Sequence, residues 1–82
     1  MKVRVYGADW CEDTRHVLRL MDSLGVAYQY IDIERDPGAS GWVKQQNGGE
    51  ERKPTLDIAG QVLSQPSDHQ LESALREKGF MA

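Results

Sequence analysis

The chain contains a single cysteine, Cys11, and its place in the sequence determines what chemistry it can perform. It follows a short β-like segment and a Gly-Ala-Asp loop, and it stands where an amphipathic helix is predicted to begin. Backbone N–H groups in the first turn of a helix have no partner inside the helix and, with the helix dipole, stabilise negative charge. A cysteine here is therefore biased toward the thiolate, which is the nucleophilic form of the side chain.

The neighbours of Cys11 act on the thiolate in opposite directions. Thr14 lies one helical turn later on the same side, where its hydroxyl is placed to donate a hydrogen bond to the sulfur and favour the thiolate. Asp9, Glu12 and Asp13 disfavour the thiolate because they carry like charge, although solvent and salt screen exposed charges. A loop-to-helix junction usually lies at the surface, so the sequence favours an accessible thiol over a buried, inert one.

The segments around this cysteine alternate between strand-like and helix-like patterns. The strand patterns cover residues 2–6, 27–33, 55–58 and 61–63, and the helix patterns cover residues 11–24, 36–47 and 67–78. The order β-α-β-α-β-β-α predicts an α/β protein with a mixed four-stranded sheet covered by three helices. We expect the first two strands to be parallel and the last two to form an antiparallel hairpin with a tight turn at Ala59-Gly60. Ser67 and Gln70 have the spacing of a capping box at the start of the last helix.

Length and composition exclude several classes of protein. The 82 residues predict one domain over residues 1–82, and one cysteine with two histidines excludes both an internal disulfide and a four-ligand zinc site. Apolar runs of at most three residues predict no membrane segment, and a net charge of −3 without a basic run argues against nucleic-acid binding. The N-terminus shows no signal-peptide pattern, so we expect a cytoplasmic protein.

A second informative feature is Lys53-Pro54-Thr55, where a proline stands at the entry to a predicted strand. Together with the cysteine segment, it makes the chain resemble the glutaredoxin family, a compact form of the thioredoxin fold, and especially its short bacterial glutaredoxin-like and mycoredoxin-like members. The segments that carry the resemblance follow in the family's order and read VYGADWCEDT, YIDI, NGGEERKPTL and QPS.

The resemblance implies a role for each of these segments. Cys11 is the active-site nucleophile, and Thr14 occupies the position of the usual second cysteine. Pro54 is the family's cis-proline facing Cys11, and the Lys53 backbone offers strand-like hydrogen bonds to a bound thiol peptide.

The same resemblance assigns Trp10, Ser67 and Asp68 to binding of the thiol ligand, since a helix N-terminus at residues 67–68 suits a carboxylate. Alternatively, Trp10 is an aromatic that holds the loop to the core, and Ser67 caps the last helix whether or not a ligand binds.

The chain also departs from the family pattern. Thr14 replaces the second cysteine, Ala8 stands where glutathione-binding members often carry lysine, and Arg52 and Lys53 replace the small residues that usually precede the proline. No internal active-site disulfide can form in a chain with one cysteine.

The resemblance favours an enzyme, a monomeric monothiol thiol–disulfide oxidoreductase. Its partners would be protein mixed disulfides, and its cofactor glutathione or an analogous low-molecular-weight thiol. One alternative is a [2Fe–2S] carrier, in which two chains each give Cys11 and two small thiols complete the ligand set. Another is a thioredoxin-fold binding module with weak catalysis. No metal site is otherwise expected.

Overall fold

The computed structural model describes residues 2–82, and it confirms the predicted α/β architecture. The strands are β1 (Val3–Gly7), β2 (Gln29–Asp32), β3 (Thr55–Ile58) and β4 (Gln61–Ser64). The helices are α1 (Glu12–Leu24), α2 (Pro37–Gln46) and α3 (Asp68–Glu77). The second strand is shorter than the predicted 27–33, and the first helix begins one residue later, at Glu12.

The four strands form one mixed sheet in the order β2-β1-β3-β4. Strand β1 pairs with β2 in parallel and with β3 in antiparallel, and β3 pairs with β4 in antiparallel. Tyr6, near the end of β1, lies opposite Thr55, the first residue of β3. The chain that leaves β1 toward Cys11 and the chain that enters β3 from Pro54 therefore meet at the same end of the sheet.

Both faces of the sheet are covered. One face packs against α1 and α3 through a core that includes Val5, Met21, Leu56 and Leu71. On the other face, Tyr6, Ile33 and Val43 form a smaller cluster under α2, and the Trp42 ring stacks on Tyr6 with centroids 4.5 Å apart. Burial of these side chains supplies the main favourable free energy that holds the two helical layers on the sheet.

The hairpin between β3 and β4 has the tight turn that the Ala59-Gly60 pair predicts. Both turn residues have positive φ, 49° at Ala59 and 98° at Gly60, and the Gly60 N–H donates to the Asp57 carboxylate at 2.8 Å. Two successive positive φ values match the right-handed twist of the flanking strands. In the described residues, none of the helices is long and apolar enough to cross a membrane.

Gly7 ends β1 in close contact with Thr14 of α1. A Cβ at position 7 would lie 2.5 Å from both Thr14 Cγ2 and Oγ1, and 3.0 Å from its Cβ. Thr14 is completely buried. Close packing therefore requires a residue without a side chain where β1 ends and the loop toward Cys11 begins.

This contact predicts that Gly7→Ala lowers the free energy of unfolding, because the added methyl group overlaps a side chain that has no free space. We expect a loss of about 1–3 kcal/mol, the usual cost of overpacking a core, measured by urea denaturation. Gly41→Ala is the matched control, since nothing lies within 4 Å of its added Cβ. That change should stabilise α2 by up to about 1 kcal/mol. Equal stability of Gly7→Ala and wild type would contradict the packing argument.

Candidate active site

Cys11 is the N-cap residue of α1. Its φ and ψ are −79° and 120°, its N–H donates to the Ala8 carbonyl at 3.1 Å, and its carbonyl accepts the first helical bond, from Arg15 N–H at 3.0 Å. Its side chain makes no capping hydrogen bond. The N–H groups of residues 12–14 therefore open toward the cysteine without an intrahelical partner, and they can stabilise charge on its sulfur.

The Cys11 thiol is half-buried and faces the entry to β3. Its Sγ lies 3.9 Å from the Lys53 carbonyl oxygen, to which it donates. The peptide bond between Lys53 and Pro54 is cis, the geometry that the family resemblance implied. Gln65 holds this backbone in place, because its N–H donates to the Pro54 carbonyl at 2.8 Å and its side-chain amide to the Lys53 carbonyl at 3.4 Å.

Thr14 does not make the expected hydrogen bond to the sulfur. Its hydroxyl oxygen instead accepts from the Ala8 N–H at 3.4 Å, inside the core. The packing of Thr14 against Gly7 holds the side chain under the loop rather than beside the thiol. Thr14 thus positions the loop that carries Cys11 and reaches the sulfur only through that loop.

Trp10 lies on the surface rather than in the core, with 63% of its side chain exposed. Its Nε1–H donates to the Glu34 carboxylate at 2.8 Å, and the Lys53 ammonium lies 5.1 Å from its ring centroid. The Lys53 ammonium also donates to the Glu51 carboxylate at 3.3 Å. Lys53 therefore contacts the loop that carries Cys11 and Trp10 through both its carbonyl oxygen and its ammonium group.

A second bond ties the loop to strand β2. The Tyr30 hydroxyl donates to the Asp9 carboxylate at 2.7 Å. Burial raises the pKa of Tyr30 well above its ordinary value, and the hydrogen bond to Asp9 raises it further. Tyr30 remains a neutral donor at all physiological pH values, and the bond holds the loop two residues before the thiol.

A cleft of about 310 Å³ runs beside Pro54, between the start of α1 and the start of α3. Across this cleft, His16 Nε2 and the Asp68 carboxylate are 2.7 Å apart and join the two helices. The side chains around the cleft are mostly polar. They are Asp13, His16, Val17, Pro54, Gln65, Pro66, Ser67 and Gln70.

The predicted capping box at the start of α3 is present. The Ser67 hydroxyl accepts from the Gln70 N–H at 3.1 Å, and the Gln70 side chain accepts from the Ser67 N–H at 2.9 Å. Since Leu71 N–H makes the first helical bond to the Ser67 carbonyl, the N–H groups of Asp68 and His69 are left for another acceptor.

Comparison with known proteins shows the family of the chain. The glutaredoxin family model matches residues 3–63, which include Cys11, Lys53 and Pro54. The chain belongs to the glutaredoxin family. Membership confirms the resemblance seen in the sequence.

Individual relatives of this glutaredoxin come from different organisms. Mycoredoxin 1 of Corynebacterium glutamicum is 39% identical to this chain over 54 residues. The match covers 66% of each chain, which is just under two thirds of that relative's length. Two solved structures show the shared thioredoxin fold. The glutaredoxin of Archaeoglobus fulgidus superposes with a TM-score of 0.81 at 19% identity, covering 92% of this chain and 86% of that one. A buckwheat glutaredoxin in complex with glutathione superposes with a TM-score of 0.74 at 23% identity, covering 98% of this chain and 81% of that one.

The structure brings most of the predicted site residues of this glutaredoxin together. Lys53 contacts both Cys11 and Trp10, and Pro54 and Ser67 line one cleft. Asp68 reaches that cleft through its bond to His16.

Sequence reasoning missed Glu34, Gln65 and the bridging role of His16. For His16, the sequence held a partial signal. Asp13, His16 and Val17 are three and four residues apart and so share one face of the helix.

No group of three or more histidine, cysteine, aspartate or glutamate side chains in residues 2–82 is arranged to hold a metal ion. The [2Fe–2S] alternative draws its ligands from two chains and two small thiols, so it stays a prediction of the sequence.

The ion pair between Glu51 and Lys53 predicts a pH dependence of stability. The pKa of Glu51 lies below its ordinary value of 4.5, first because Ser40 donates a hydrogen bond to it and then because Lys53 does. Since the folded pKa is the lower one, this stabilisation is present above pH 4.5 and is lost as the pH falls through the folded value.

We therefore expect Glu51→Gln to destabilise the protein at pH 7 and this penalty to shrink as the pH falls below 4.5 and wild-type Glu51 takes up its proton. Urea denaturation of both proteins at pH 7 and at a series of values below 4.5 measures the difference in their free energies of unfolding. Glu77→Gln, on the exposed end of α3, is the control for a general charge effect. A stability difference between wild type and Glu51→Gln that stayed constant with pH would contradict the stabilising role of the Glu51 carboxylate.

Proposed function

We propose that this glutaredoxin is a monothiol thiol–disulfide oxidoreductase that removes a small thiol, glutathione or an analogue, from protein mixed disulfides. The observation that carries the proposal is the position of Cys11. It caps α1 without a side-chain bond, and its sulfur faces the carbonyl of Lys53, the residue joined by a cis bond to Pro54. Pro54 in turn lines the cleft.

The first step needs one cysteine. The Cys11 thiolate attacks the small-thiol sulfur of the mixed disulfide, a new Cys11–small-thiol disulfide forms, and the protein thiolate leaves and takes up a proton. Loss of the proton from Cys11 ends its hydrogen bond to the Lys53 carbonyl. The N–H groups of residues 12–14, which the Cys11 side chain does not cap in the thiol form, are then available to donate to the sulfur.

The second step uses another small-thiol molecule. Its thiolate attacks the small-thiol sulfur held on Cys11, the oxidised small-thiol dimer leaves, and the Cys11 thiolate is regenerated. The other side-chain sulfur atoms of the chain belong to its three methionines, which cannot form disulfides. Each turnover therefore consumes one external small-thiol molecule, which becomes half of the oxidised dimer, and the other half comes from the mixed disulfide.

The cleft beside Pro54 suits the small thiol. In the proposal, its backbone pairs with the Lys53 backbone, and its carboxylate accepts from the free N–H groups of Asp68 and His69 at the start of α3. The glutathione complex of the buckwheat glutaredoxin supports a ligand of this class. Asp13 lines the cleft, and Asp68 is bonded to His16 beside it. Their negative charge favours ligands that present an amino group there.

We also propose, on the sequence expectations alone, that residues 1–82 act as one domain and that the protein works as a monomer in the cytoplasm.

Replacement of the nucleophile tests the proposal. Wild-type protein incubated with oxidised glutathione should gain one glutathione adduct by mass spectrometry, and it should release glutathione from a glutathionylated model protein. Cys11→Ser should form no adduct and reduce turnover to the uncatalysed rate, since no other thiol is present.

Ser73→Ala is the control variant, because Ser73 lies in a separate groove between β4 and α3. It should retain the wild-type rate. Equal turnover by Cys11→Ser and wild type would rule the function out.

A further inference from the structure

The exposed Trp10 ring and the Glu34 carboxylate form a surface that the proposed exchange chemistry does not use. The Trp10 Nε1–H donates to Glu34 at 2.8 Å, which holds the ring at a defined angle beside the nucleophile. The Lys53 ammonium lies over one face of the ring, 5.1 Å from its centroid. Trp10 is 63% exposed, so the ring area that Lys53 does not cover is accessible to a ligand.

Glu34 is an exposed carboxylate that no cation of residues 2–82 neutralises. Its neighbour Arg35 pairs with Asp32 instead, at 3.5 Å. The Lys53 charge is balanced by Glu51 at 3.3 Å. Glu34 therefore keeps its negative charge next to an exposed aromatic ring.

The charges around Trp10 and Glu34 make this surface more negative. Among residues 2–82, neither Asp9 nor Asp13 has an ion-pair partner, and both lie within two residues of Cys11; Asp9 is bound by the neutral Tyr30 hydroxyl. Arg15 and Arg19 are turned toward Glu12. The surface that a protein substrate must approach is thus negative, with an indole ring at its edge.

We infer that Trp10 and Glu34 form a guanidinium-binding subsite that selects protein mixed disulfides with arginine next to the modified cysteine. The guanidinium plane stacks on the accessible area of the Trp10 ring, and its N–H groups pair with Glu34, a combination that arginine forms better than lysine. The inference rests on the proposed function, because the subsite serves the substrate whose disulfide reaches Cys11.

Matched peptides test the subsite. Each carries one cysteine as a mixed disulfide with glutathione, flanked on both sides by arginine, glutamine or glutamate. The rate constant for release of the peptide thiol is measured by chromatography at low ionic strength. We expect the arginine peptide to react about 5- to 10-fold faster than the glutamine peptide, the combined effect of one cation–π contact and one exposed ion pair. The glutamate peptide should react slowest, and added salt should reduce the differences.

Glu34→Gln is the decisive variant, because glutamine keeps an acceptor for the Trp10 Nε1–H and removes only the charge. It should lower the arginine-to-glutamine rate ratio to about 2-fold, the share left to stacking. Glu77→Gln makes the same change in net charge on the far end of α3 and should leave the ratio unchanged. A ratio that falls equally in both variants would show a general charge effect and overturn the subsite.

Two further outcomes separate this inference from the proposed function. If wild type reacts with all three peptides at one rate, the exchange function stands and the subsite is overturned. If no peptide reacts, the exchange function fails, and fluorescence anisotropy of labelled reduced peptides with Cys11→Ser decides the subsite. Tighter binding of the arginine peptide that Glu34→Gln abolishes supports it, and equal binding of all peptides overturns it.

Discussion

The antiparallel pairing of β1 with β3 is the interaction on which the site depends. It places Tyr6 opposite Thr55, so the chain that continues to Cys11 and the chain that arrives from Lys53 and Pro54 meet at one end of the sheet. These segments are 42 residues apart in sequence, yet the Cys11 sulfur reaches the Lys53 carbonyl at 3.9 Å. The site is therefore assembled by the sheet rather than by local sequence.

The loop between β1 and α1 is held from several directions. Thr14 accepts from the Ala8 N–H below the loop, Tyr30 holds Asp9 on the β2 side, and Glu34 holds Trp10 at its outer end. These contacts leave the Cys11 side chain without a capping bond. A loop fixed in this way presents one sulfur at the start of a helix with little further ordering when a ligand arrives.

Much of the fold followed from the sequence because it is encoded locally. Apolar periodicity predicted the strands and helices, the Ser67–Gln70 pair predicted its capping box, and Ala59-Gly60 predicted its turn. The geometry of side chains at the site is not local. The Thr14 hydroxyl turns away from the sulfur because Gly7 packs against it from another element.

The residues that the sequence analysis missed are also those whose roles depend on distant contacts. Glu34 meets Trp10 across 24 residues, and His16 meets Asp68 across 52 residues. No short pattern marks either pair, since each needs the sheet and its helices in place. Trp10 was assigned to ligand binding, with a core-anchoring role as the alternative, and only the packed fold shows that the residue is exposed.

The two tryptophans of the chain give it a pair of distinct optical probes. Trp42 is half-buried and stacks on Tyr6 under α2, whereas Trp10 is exposed and adjoins the sulfur. Emission from Trp42 follows the integrity of that helix layer, and emission from Trp10 responds to water and quenchers at the loop. Occupancy of the thiol site and loss of the fold can thus be followed separately in one unlabelled protein.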